Sequence, residues 1–248
     1  MTIETDADLA GLQRAGRLVS EVLHTMLGAL EPGMRTDELD TIGARLLAAA
    51  GAQSAPQATY GFPAATCISI NDEAAHGVPG PRRIAAGDVV NIDVSAVLDG
   101  YVADTGGTRV VPPDTPLKRR LVWTARQALD EALGAARAGA PLRGIGRTIE
   151  RAARRGGFRV IRNLGSHGVG RALHEEPGFI PGFDDPHERR TLHEGLVITI
   201  EPFISTRARW ADDAGDGWTL TGGQGNFSAQ FEHTLVVTRG APLVVTRH

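Results

Sequence analysis

Apolar residues recur at helical spacing through the first 30 positions: Leu9, Leu12, Leu18, Val22, Leu23, Met26, Leu27 and Leu30. This pattern predicts an amphipathic helix over 7–30, ended by Pro32-Gly33. Thr36 can cap a second helix, 37–50, which stops at Gly51. Residues 51–63 read as polar and turn-rich. A short strand at 67–70 then leads into a loop carrying His76. From 87 to 105 two apolar strands meet at Asp99-Gly100, a dipeptide that supplies the positive φ angles of a tight hairpin. Thr115-Pro116, a cap followed by proline at the first helical position, opens a helix to about 138. Gly139–Pro141 breaks it, and a further helix over about 142–155 stops at Gly156-Gly157. The remainder reads as strand and loop, with strands at 158–162, 195–201, 218–221, 231–237 and 243–246. No low-complexity linker divides the chain, so a single domain over 1–248 is expected.

The hairpin carries one aspartate in each strand, Asp93 and Asp104. With a two-residue loop, paired positions sum to 199, which sets Asp104 opposite Ser95. Ser95 shares a face with Asp93, because side chains alternate with period two. The carboxylates are then diagonal neighbours on an apolar sheet, and a cation between them would relieve their repulsion. A three-residue loop would put them on opposite faces. The hairpin alone fits equally a surface turn whose aspartates face water.

A faint repeat adds to this. The segment 87–93, GDVVNID, matches 195–201, GLVITIE, position by position, and each strand ends in a carboxylate. A His-Gly pair lies upstream of each, His76-Gly77 and His167-Gly168, and a second acid lies downstream, Asp104 and Glu232. The pattern suggests two similar half-domains packed face to face with their acids converging.

Composition and charge narrow the classes. The chain is 42% hydrophobic with net charge −3, so no strong field draws it to nucleic acid or a membrane surface. No run of about 18 apolar residues predicts a spanning helix. One cysteine, Cys67, excludes an intramolecular disulfide framework. The acidic start, MTIETDADLA, lacks the basic and apolar regions of a signal peptide, and a cytoplasmic protein is expected.

Asp93, Asp104, His167, Glu201 and Glu232 are the candidate constellation. Each acid lies in or at the end of an apolar strand, whereas arginines crowd the helices (Arg119, Arg120, Arg126, Arg151, Arg154, Arg155). Four carboxylates would balance two divalent cations, with one neutral imidazole and a bridging hydroxide completing the shell. Oxygen and imidazole donors suit Mn, Fe, Co or Zn. His174 follows His167 by seven positions, and Gly168 and Gly170 permit a bend that turns both inward. His174 and His76 read equally well as structural loop histidines.

These residues resemble a known family. Asn71-Asp72-Glu73 with His76-Gly77, the Asp93/Asp104 hairpin, His167-Gly168-Val169-Gly170 with His174-Glu175-Glu176-Pro177, Ile200-Glu201-Pro202, and 228–234 (SAQFEHT) are similar to type I methionine aminopeptidases. The similarity runs over about 10 to 240, in the expected order. It implies an α+β pita-bread fold, a pseudo-two-fold antiparallel β-sheet core covered by helices. It implies a dinuclear site held by Asp93, Asp104, His167, Glu201 and Glu232, with Asp104 and Glu232 bridging. It also implies substrate contact by His76 and His174, and a proton-shuttling role for Glu201.

The expected activity is removal of the initiator methionine from nascent polypeptides with a small second residue. The expected protein is a monomer, with ribosome association following from the resemblance alone. Phe62, Cys67, His76 and Trp218 fit a methionine pocket, although Trp218 also reads as core packing. Thr59 and Leu173 depart from the family pattern, standing where tyrosine and phenylalanine are common. The rival readings are an Xaa-Pro aminopeptidase-like hydrolase, a creatinase-like hydrolase that works without metal, and a non-catalytic binding module on the same scaffold.

Overall fold

Thr5 starts the first helix by exchanging hydrogen bonds with Asp8. Its hydroxyl accepts the Asp8 N–H, and the Asp8 carboxylate accepts the Thr5 N–H. In the computed structural model, which describes residues 1–247, this helix, α1, spans Asp6–Ala29. Then follow α2 (Thr36–Ala49), β1 (Gln53–Ser54), α3 (Ala55–Tyr60), β2 (Cys67–Ile70), β3 (Glu73–Ala75), β4 (Val89–Leu98) and β5 (Tyr101–Val110). The second half holds α4 (Pro116–Leu133), α5 (Arg143–Gly156), β6 (Arg159–Val160), β7 (Gly165–Gly168), β8 (Glu175–Pro181), β9 (Val197–Ile200) and β10 (Phe203–Ser205). It ends with β11 (Asp212–Asp213), β12 (Leu220–Thr221), β13 (Ser228–Gln230), β14 (His233–Val236) and β15 (Leu243–Val244).

The fold is α+β, with antiparallel pairing within its sheets. The first half builds a sheet in the order β1-β4-β2, with β5 also on β4, and packs α1 and α2 against it. The second builds β15-β14-β9-β7-β8 and packs α4 and α5 against it. Two small sheets, β13-β10-β6 and β11-β12-β3, complete the frame. Each half thus has two helices over a sheet and its own apolar core, which is the pseudo-two-fold arrangement the repeat suggested. Among the described residues no helix is long and apolar enough to cross a membrane.

The repeat extends to the backbone. Gly87 and Gly195, which open the matching strands, have φ of 90° and 81°, the left-handed region that glycine adopts without strain. Gly77 and Gly168 follow the paired histidines, and both let strands approach closely. A Cβ there would lie 2.2 Å from the Ile68 carbonyl oxygen and 2.4 Å from that of Glu176.

Three local expectations need correction. Thr36 is the first residue of α2 rather than its cap. The cap is Arg35, whose N–H is held by the Glu38 carboxylate, while the Thr36 hydroxyl is tied to the backbone of Gly80. Residues 51–63 are not wholly turn, because the Ser54 hydroxyl caps the short α3. Helix α4 ends at Leu133 rather than near 138, and Gly134 caps it.

Candidate metal centre

Asp99 and Gly100 have φ of 51° and 77°, so the hairpin closes with two residues and Asp104 pairs with Ser95. That register puts Asp93 and Asp104 on one face. The second half delivers the rest. Glu201 stands immediately after β9, Glu232 immediately before β14, and His167 in β7.

Polar groups pair across the seam between the halves. The Thr234 hydroxyl donates to the Asp104 carbonyl at 2.8 Å and accepts the Asp104 N–H at 2.9 Å. The Thr105 hydroxyl donates to the Glu232 carbonyl, and the Glu232 N–H donates to the Gly106 carbonyl. These bonds hold Asp104 and Glu232 side by side, whatever their charges prefer.

Asp104, His167 and Glu232 each offer a donor atom within 4.8 Å of the others, and all three are buried. His167 Nε2 also lies 3.3 Å from Glu201 Oε1. Its Nδ1 sits 2.9 Å from the Gly168 carbonyl oxygen. A carbonyl only accepts, so Nδ1 carries the proton and Nε2 presents its lone pair to the carboxylates. Burial holds this imidazole down at about 3, so the ring is neutral. A lone pair facing carboxylates is repulsive on its own and favourable with a cation between them.

The acids carry the same signature. Burial first, then the neighbouring carboxylates, pushes Asp104, Glu201 and Glu232 well above the usual range, and burial pushes Asp93 up to about 6. Asp104 Oδ1 and Glu232 Oε1 are buried with no hydrogen-bond partner among the described residues. Unpaired buried oxygens beside an imidazole lone pair, with no thiolate in the set, fit an oxygen- and nitrogen-preferring divalent metal.

Other side chains fix these acids in place. Asn91 Nδ2 donates to Gln230 Oε1 at 2.8 Å, and Gln230 Nε2 donates to Glu232 Oε2 at 2.9 Å. The Thr199 hydroxyl donates to Glu201, and the Ser166 hydroxyl accepts the Glu201 N–H.

The cluster lies at the bottom of a cavity of about 230 Å³. Asp93, Asp104, His167 and Glu201 line it together with His76, His174, Phe62, Cys67 and Trp218. Glu232 belongs to the cluster but does not itself line the cavity. The candidate ligands, the two histidines and the pocket residues named from sequence therefore converge on one place. Phe62 meets Trp218 edge to face at 5.2 Å, in a small apolar group with Ala64 and Cys67. The His174 ring lies 4.1 Å from that of His167. His76 sits at φ 54° on a strained turn, its ring open to the cavity. Thr59 is exposed, but the next residue, Tyr60, lines the cavity and contacts His174.

Residues 10–239 match the pattern of Metallopeptidase family M24. The chain belongs to metallopeptidase family M24. Within that family it is 43% identical, over the whole of both chains, to Methionine aminopeptidase 2 of Bacillus subtilis (strain 168). The crystal structure of methionine aminopeptidase from Thermotoga maritima superposes with a TM-score of 0.95 at 30% identity, each chain fully covered. Prolidase from Pyrococcus furiosus superposes with a TM-score of 0.79 at 22% identity, and this chain spans 66% of it. That likeness shows the shared pita-bread fold alone.

Sequence reasoning missed Tyr60, Gln230, Asn91, Thr199 and Ser166. Ser166 and Gln230 stand beside or two residues from candidate ligands, which was a usable signal. Nothing in the sequence ties Asn91 to Gln230 or Tyr60 to His174.

Proposed function

We propose that the chain is a metal-dependent methionine aminopeptidase acting on nascent polypeptides whose second residue is small. One observation carries the reading: a buried Asp104–His167–Glu232 cluster with oxygens that find no partner among the described residues, beside an apolar, aromatic-lined cavity, in a member of family M24. Asp93, Asp104, His167, Glu201 and Glu232 would hold two divalent ions. When bound, the ions would supply a hydroxide nucleophile at neutral pH and positive charge at the scissile carbonyl.

The chain's own residues do the rest. Phe62, Cys67 and Trp218 take up the methionine side chain and exclude water around it. Glu201, at the cavity floor beside His167 Nε2, takes the proton from the attacking water and returns it to the leaving amine. His76 and His174 donate hydrogen bonds to the oxygen on which charge develops. Residues 1–248 act as one catalytic domain, a monomer in the cytoplasm that meets its substrates as they leave the ribosome.

Hydrolysis of Met-Ala-Ser and of an Xaa-Pro tripeptide by one purified sample tests this, first after chelation and then with Co(II), Mn(II), Fe(II) or Zn(II) titrated in. Metal-dependent methionine release with the Xaa-Pro peptide untouched is the expected result. Cleavage of the Xaa-Pro peptide alone would move the chain to the prolidase-type activity. Turnover of neither, with metal bound, would overturn the enzymatic reading.

A further inference from the structure

Tyr60 ends α3, and Gly61 turns the chain at φ 72°, so that Tyr60 and Phe62 both face the cavity. The Tyr60 hydroxyl lies 2.7 Å from His174 Nδ1, with the rings 5.6 Å apart and tilted 48°. We propose that Tyr60 is a positioning residue that fixes the proton of His174 on Nε2 and so makes that nitrogen a hydrogen-bond donor to substrate. The inference rests on the aminopeptidase reading of the site.

A neutral imidazole has one N–H and one lone pair, and the partner of one nitrogen decides the state of the other. Phenol is the better acid and imidazole the better base, so the favoured bond runs from the Tyr60 O–H to the Nδ1 lone pair. The proton then resides on Nε2. His167 shows the opposite arrangement a few ångströms away: a backbone carbonyl holds its proton on Nδ1 and leaves Nε2 as a lone pair. Two adjacent histidines thus present opposite faces, one acceptor toward the acids and one donor toward substrate. The setting is also geometrically favourable. Tyr60 is 50% exposed, so little packing depends on it, and its hydroxyl can be removed without opening a core cavity.

The test uses the full, zinc-loaded chain and its Tyr60→Phe variant. Ring nitrogen signals of His174, read by long-range proton–nitrogen NMR without substrate, should report the Nε2–H form in the parent. A mixture of both forms is expected in the variant. With Met-Ala-Ser, the variant should lose about five- to tenfold in kcat, the weight of one ordinary hydrogen bond, with KM unchanged. A parent His174 carrying its proton on Nδ1, or a variant with parental kcat, would overturn the proposal. A rise in KM alone would also overturn it, assigning Tyr60 to substrate packing. Because the tautomer is read without substrate, a parent inert on Met-Ala-Ser would overturn only the aminopeptidase reading, and the ring signals would still decide the Tyr60 contact.

Discussion

Replacing Thr234 by valine tests whether the seam between the halves is what holds the acids together. Valine has nearly the volume of threonine but no hydroxyl. Thr234 is fully buried, and its hydroxyl satisfies both the N–H and the carbonyl of Asp104. Those two groups point away from β4, because Asp104 and Ser95 form the kind of cross-strand pair that makes no mutual backbone bonds. The variant therefore leaves two buried backbone groups unpaired. Each costs about 1–3 kcal/mol, so the sum is about 2–6 kcal/mol. Taking about 4 kcal/mol, a chain of this size should lose roughly 8–16 °C in Tm. Thr234→Ser is the control. It keeps both bonds and loses a single methyl, for about 1 kcal/mol. Urea unfolding of the chelated chain gives both values, and calorimetric titration with Mn(II) should show weaker binding in the valine variant alone. A valine variant no less stable than the serine variant would refute the claim that this hydroxyl carries the seam.

Three further outcomes follow from the same geometry. Asp104→Asn should abolish metal-dependent hydrolysis and lower bound metal while leaving the circular dichroism spectrum and Tm of the chelated protein intact, because it removes one of several mutually repelling acids; full metal content with parental activity would sink the ligand assignment. In the chelated protein, stability should fall as pH rises from 7.5 to 9: folded carboxyls raised well above their usual range by burial bind more protons than the unfolded chain, whose carboxyls are already ionised, and the buried histidines, lowered from 6.5 in the fold, are almost wholly neutral in both states across that window. Denaturant titrations at both pH values check the sign; saturating metal should remove the fall, and a rise in the chelated form would contradict the burial of the acids. Gly77→Ala and Gly168→Ala should each destabilise by about 1–3 kcal/mol, since the added methyl meets backbone and not a movable side chain, and a thermal melt unchanged by either would show that the strands can separate at no cost.

The site was far more legible than the frame around it, and the reason is physical. If Asp99-Gly100 is the whole loop, a single register follows, and the structure has that register and not the three-residue alternative that the sequence left open. Acids inside apolar strands have few stable explanations, which exposed Glu201 and Glu232. Segments whose structure depends on distant partners were not legible. Helix α3 is six residues long, too short for periodicity, and stands on the Ser54 cap and the Gly61 turn. Strand β7 is Gly-Ser-His-Gly, with no apolar alternation, and exists because β8 and β9 flank it. Tyr60 shows the same limit in the site itself. The sequence drew attention to Thr59, the position where tyrosine is common, and the aromatic group that reaches His174 comes from the next residue. A shift of one position along a helix end turns a side chain by about 100°, so a departure from a family pattern at one residue can be answered by its neighbour. Thr59 alone is then no sign of a weakened site. The quantity to compare between this chain and its relatives is the hydrogen bond on His174, whichever residue supplies it.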